Sequence, residues 1–176
     1  MRADLERRLA RLEASRARLE ARLRSVDAAA LNRAPRPGAW SAGQAVEHVV
    51  NVEAGTLRYI RRKMQGGVGL PRAPLLSRLR AVILRFALAS PLRFRAPAVV
   101  AEVPPHVDLP ALLARWAGVR SDWRALLESF PAELAGRLVF RHGFVGLMAL
   151  DDTLDFLGAH LEHHARQAER ALAVSG

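Results

Sequence analysis

The chain has 176 residues, about half of them apolar, a formal net charge of +10 and no cysteine. That length suits a single domain spanning 1–176 with a buried core, and the missing cysteine excludes disulfides, thiolate metal ligands and a cysteine nucleophile. A net positive charge suits nucleic acids and anionic membranes, but of the 27 basic residues all but Lys63 are arginine, a bias of GC-rich coding; with no helix-turn-helix, RNP or zinc-finger pattern beside it, no nucleic-acid partner is expected.

The N-terminus, MRADLERRLARLEASR, is charged throughout and has no apolar core of a secretory signal. No apolar run approaches the ~20 residues that span a bilayer, so a cytoplasmic location is expected. Residues 4–26 place Leu5, Leu9, Leu12, Leu19, Leu23 and Val26 at spacings of three and four, interrupted only by Arg16. This predicts an amphipathic helix with one apolar seam. The proline-rich NRAPRPG at 32–38 ends it.

A second helix is predicted from Ser41, where Ser41 and Gln44 form a capping box and Trp40 stands as a hydrophobic staple. It should run to about Gln65, where Gly66 and Gly67 stop it, with Ala45, Val49, Val52, Thr56, Tyr59 and Ile60 inward. Residues 75–90 can form a helix, while PLRFRAP and EVPPHV read as extended. From Gly66 to Val100 there are six arginines and no acid. Such a segment suits either an interfacial membrane helix or a short helix within a long crossover connection. The second is the expectation, so no membrane partner is expected.

Asp108 is the predicted cap of a third long helix, buried through Leu112, Leu113, Trp116, Val119, Trp123, Leu126 and Leu127 and ended by Pro131. GRLVFRHGFVG then reads as a connector without a strand pair, and Asp152 as the cap of a last helix reaching about Val174. The fold class predicted is all-α, a four-helix bundle with a long crossover connection between helices 2 and 3.

Three of the six histidines fall in HLEHHARQ, residues 160–167. At about 100° per residue, His164 lies within the apolar stripe of the last helix, His160 on its edge, and His163 well outside it as a solvated neighbour. His160 and His164 form an i, i+4 pair able to converge on one ion. On the second helix His48 has the same shoulder position, and Gly55 leaves open volume further along that edge. Three inward histidines on facing helices form a candidate metal site.

Three stretches carry a family resemblance: RPGAWSAGQAVEHVVNVE (36–53), FRAPAVVAEVPP (94–105) and FRHGFVGLMALDDTLDFLGAHLEHHARQAERAL (140–172). With their Trp-Ser start, helix-borne histidine and final HxxxHxxQ helix, they resemble the DinB-like superfamily of metalloenzymes. The resemblance implies His48, His160 and His164 as ligands of a divalent ion, zinc or nickel, with open positions, and a homodimer. It also implies, from characterised relatives, transfer of a low-molecular-weight thiol such as bacillithiol or mycothiol to a small electrophile. A metal-dependent hydrolase is the neighbouring possibility, both in detoxification or stress response. A non-catalytic metal-binding stress or interaction protein is the alternative, and a basic membrane-surface bundle a further one.

Three neutral imidazoles leave an ion its full charge and lower the pKa of a bound water or thiol. Gln44, Gln167 and His142 are candidates to contact a ligand ring or the substrate. No residue is assigned a catalytic role.

Overall fold

The computed structural model describes residues 1–65, 69–90 and 102–174. The described residues form six α-helices, one two-stranded sheet and a short 3-10 helix at Ala132–Leu134: α1 (Ala3–Arg24), α2 (Ala28–Asn32), α3 (Ala42–Gln65), α4 (Leu75–Ala89), α5 (Leu109–Glu128), β1 (Leu138–His142), β2 (Gly146–Ala149) and α6 (Leu150–Ala173). Of the expected features, the Gly66–Gly67 stop and most of FRAPAVVAEVPP lie outside the described residues.

Helix α1 buries Leu5, Leu9, Leu12, Leu19 and Leu23 as its spacing predicts. Arg16, the break in that seam, lays its guanidinium over the Trp116 ring at 5.7 Å and bonds Glu13 and Glu20 on its own helix. A long arginine stem can line an apolar seam while its head stays bonded at the edge. Helix α6 packs against α1, α3 and α4, and α5 packs against α3 and α1.

The capping box of α3 forms as expected: Gln44 Oε1 accepts from the Ser41 amide at 3.0 Å, and Ser41 Oγ accepts from the Gln44 amide at 3.2 Å. The face of α3 is wider than its stripe suggests. Val46, Val50, Glu53 and Leu57 are buried, whereas Tyr59 is exposed and Val52 half-buried. Gly43 lets this helix approach the chain at Val107, because a Cβ there would stand 3.0 Å from the Val107 side chain. Asp108 caps α5, accepting from the Ala111 amide at 2.8 Å.

Two expectations are corrected between Gly136 and Asp152. The connector contains an antiparallel hairpin, with His142 opposite Gly146 and Phe140 opposite Met148. Three consecutive buried residues, Leu138, Val139 and Phe140, hide the two-residue period by which a half-buried strand is recognised. Gly146, at φ +81, supplies the left-handed turn residue. Strand β2 then runs directly into α6, so Ala149 occupies the N-cap and Asp152 sits inside the first turn. Thr153 Oγ1 donates to the Ala149 carbonyl at 2.7 Å. Among the described residues no helix is long and apolar enough to cross a membrane.

Candidate metal centre

Helix α3 carries His48 about two turns past its cap, and α6 carries His160 and His164 one turn apart. The helices pack face to face, so side chains 112 residues apart in the chain meet. His48 is 2 %, His160 7 % and His164 8 % exposed. Their ring centroids form a compact triangle: 5.1 Å from His48 to His160, 4.7 Å from His48 to His164 and 4.5 Å between the α6 pair.

The donor atoms fit a divalent ion. One ligand nitrogen from each ring lies within 4.8 Å of the other two. His48 Nε2 and His160 Nε2 are 3.2 Å apart; at a metal–nitrogen distance of ~2.0–2.1 Å, that separation subtends about 100° at an ion, between octahedral and tetrahedral values. His164 Nδ1–H donates to Gln167 Oε1 at 2.9 Å, which leaves Nε2 as the free lone pair. Such an outer bond fixes tautomer and ring orientation in metal-binding histidines.

Electrostatics keep His160 and His164 neutral. Burial, reinforced by the neighbouring histidines, holds His160 well below the ordinary imidazole value. The same causes push His164 down to about 3, against the bond it donates to Gln167. Metal binding needs neutral imidazole, the form that His160 and His164 hold at neutral pH.

The other candidates separate. Gln167 contacts the His164 ring. Gln44 uses its amide oxygen in the cap, and its Nε2 donates to the Pro104 carbonyl at 3.0 Å. His142, on the hairpin, packs edge-on against Phe156 at 4.7 Å, and Phe156 stands 5.5 Å from His160. His142 Nδ1 accepts from the Phe144 amide, and burial lowers its pKa. Gly55 has open space beside it, since a Cβ there would approach only the Arg58 guanidinium, at 4.0 Å.

His163 is not the solvated neighbour expected. Its Nδ1–H donates to the Leu88 carbonyl at 3.0 Å, and Arg166 donates to the same oxygen at 2.8 Å. Both residues clip the C-terminal end of α4 to α6. The helical phase that turned His163 away from the site is correct; it turns the ring towards a helix instead of towards water.

Sequence reasoning missed two aromatic neighbours. Trp40, read as a staple, lies 5.0 Å from His48 and 6.2 Å from His164. Phe156, one turn before His160, was not singled out at all. The position of Phe156, four residues before an inward histidine, was the available signal; nothing local identifies Trp40. The pairing of Glu53 with Arg120, at 2.7 Å and with both side chains buried, also went unseen.

Fold and cluster together define a predominantly helical protein whose two facing helices present a buried tri-histidine set suited to a divalent ion. The DinB superfamily model matches residues 11–168, and the chain belongs to that superfamily. No curated protein and no solved structure matches it.

Proposed function

We propose that this protein is a metal-dependent enzyme of the DinB superfamily that uses His48, His160 and His164 as its ligand set. Its reaction is transfer of a low-molecular-weight thiol to a small electrophile, with hydrolysis as the related chemistry. The observation that carries this reading is the convergence of three buried histidines from two helices. A bound zinc or nickel ion supplies Lewis acidity and lowers the pKa of water or thiol at its open positions. Gln167 holds the His164 ring in the required tautomer. Trp40 and Phe156 flank the cluster with apolar surface, which limits water and strengthens electrostatic interactions there. The chain has no cysteine, so a reacting thiol comes from solution.

The same reading takes the four long helices α1, α3, α5 and α6 as a four-helix bundle, with α4 in the crossover between α3 and α5. It takes the working protein as a cytoplasmic homodimer.

The test is a conjugation assay with metal-loaded protein, a panel of small thiols and a generic electrophile. Thiol consumption well above that of a His48→Ala control is expected. Metal content equal to that of a His160→Ala variant would remove the centre itself. Metal bound through the three histidines without turnover of any thiol, or hydrolysis of esters and amides, would instead favour the non-catalytic metal-binding alternative.

A further inference from the structure

Helix α4 carries apolar residues on two opposite sides. With Leu79 placed at zero and about 100° per residue, Leu75, Leu76, Leu79, Val82, Ile83 and Phe86 all fall within about 60° of one direction. Ala81, Leu84 and Leu88 lie on the other side, where Ala81 and Leu88 are buried and Leu84 packs against the core. The first group is open: exposure runs from 37 % at Val82 to 72 % at Phe86 and 85 % at Leu75. Scattered single apolar residues on a surface need no explanation, but a continuous stripe of six large ones does.

The charges beside the stripe indicate what it meets. Arg78 and Arg80 stand at about 100° on either side of it and Arg85 at about 120°. All three are exposed, as is Arg72 just before the helix. Arg85 reaches Asp155 at 3.2 Å, and no acidic residue occurs anywhere in 66–100. Apolar residues outward with arginines on both shoulders is the arrangement of a helix lying in a membrane interface, where long basic side chains reach up to phosphates.

We propose that this face of α4 docks on an anionic lipid surface. The helix lies in the plane of the interface and does not span it, since its 15 residues extend about 22 Å, short of the ~30 Å hydrocarbon core. A second copy of the chain fits this face less well. A two-fold interface sets identical patches against each other, so the arginine shoulders of both copies would meet with no carboxylate from the segment between them. An anionic surface complements those shoulders.

The short helix expected within this connection is α4, and its outward stripe adds the membrane reading proposed here. Periodicity shows that a stripe exists but not whether it faces inward. The proposal is independent of the metal-centre reading. It does place the membrane beside it, because His163 and Arg166 fasten the end of α4 to the helix that bears His160 and His164.

The test is flotation of the full-length, metal-loaded protein with vesicles of equimolar phosphatidylglycerol and phosphatidylcholine, compared with phosphatidylcholine alone. Binding to the anionic vesicles at low salt is expected, at least about ten-fold above neutral vesicles and weakened by added salt. The pair Ile83→Asp/Phe86→Asp should reduce it by about ten-fold or more, with helical content, metal content and elution volume unchanged. Ile83→Ser/Phe86→Ser carries the same comparison should the aspartates disturb α4. No flotation at low salt overturns the proposal. Flotation undiminished in both pairs overturns it, since charge alone would then suffice. A wild-type dimer that both pairs convert to monomer assigns the face to a second copy and also overturns it.

Discussion

The Nδ1–H of His164 donates to Gln167 at 2.9 Å, and Gln167 is itself only partly buried on the same helix. Loss of an outer bond of this kind weakens a metal site without unfolding its host. Gln167→Ala should therefore retain helical content while metal affinity falls about 10-fold, read by competition with a chelating dye. A second prediction concerns pH. His160 and His164 are depressed in the folded state, His164 to about 3, while in the unfolded chain histidine titrates near ~6.5. The unfolded state thus takes up more protons as pH falls. Stability of metal-stripped protein should be fully present above about pH 6.5 and decline progressively towards pH 3. Asp152 acts in the opposite sense: burial and the neighbouring Asp151 raise it from 3.8 to about 6, so its contribution is lost as pH rises through that range. Denaturant midpoints across pH check both. His164→Leu should flatten the acid decline, and Asp152→Asn should gain stability at pH 8 relative to pH 4. At this scale the sequence was most informative for the α6 pair, since i, i+4 geometry depends only on local helix. It was silent on Trp40, whose ring reaches the histidines through the path of the chain before α3.

At the scale of elements, a buried ion pair joins α3 to α5. Glu53 accepts from Arg120 at 2.7 Å and from Trp116 Nε1 at 2.9 Å, and Arg120 also faces Glu13 of α1 at 3.8 Å. Burial pushes the Glu53 carboxyl up, and Arg120 and Trp116 oppose that shift. Removing one member leaves the other uncompensated, so Arg120→Ala should cost about 3–5 kcal/mol, whereas Glu53→Leu/Arg120→Met together should cost much less. Urea unfolding of the two variants distinguishes these outcomes. Neither Glu53 nor Arg120 stands out in sequence, because charged residues are ordinarily solvated and only the packing of α3 on α5 pairs them. Caps behave differently. Ser41 and Asp108 act locally and were readable, whereas Asp152 failed as a cap because β2 leads straight into α6 and moves the helix start three residues earlier.

For the whole molecule, an ion held by His48, His160 and His164 would tie α3 to α6 across 112 residues of chain. A ligand that binds only the folded state raises stability in proportion to the logarithm of its concentration over Kd, about 2.7 kcal/mol at a hundred-fold excess. Zinc or nickel should accordingly raise the thermal midpoint of stripped protein, and His48→Ala should abolish most of that rise in calorimetry, although His48 belongs to a different helix from the other two ligands. Retention of the full shift in His48→Ala would show that α3 contributes no ligand.

By itself the sequence determined what depends on neighbours within a turn or two: the seam of α1, the caps at Ser41 and Asp108, and the inward phase of His48, His160 and His164. Only the tertiary structure decided which inward faces meet. It brought His48 onto the α6 pair, set Trp40 and Phe156 beside them, turned His163 to the end of α4, and left the outer stripe of α4 uncovered among the described residues. The physical reason is range. Helical phase follows from backbone geometry common to every residue, whereas contact between elements depends on how several amphipathic faces bury one another at once.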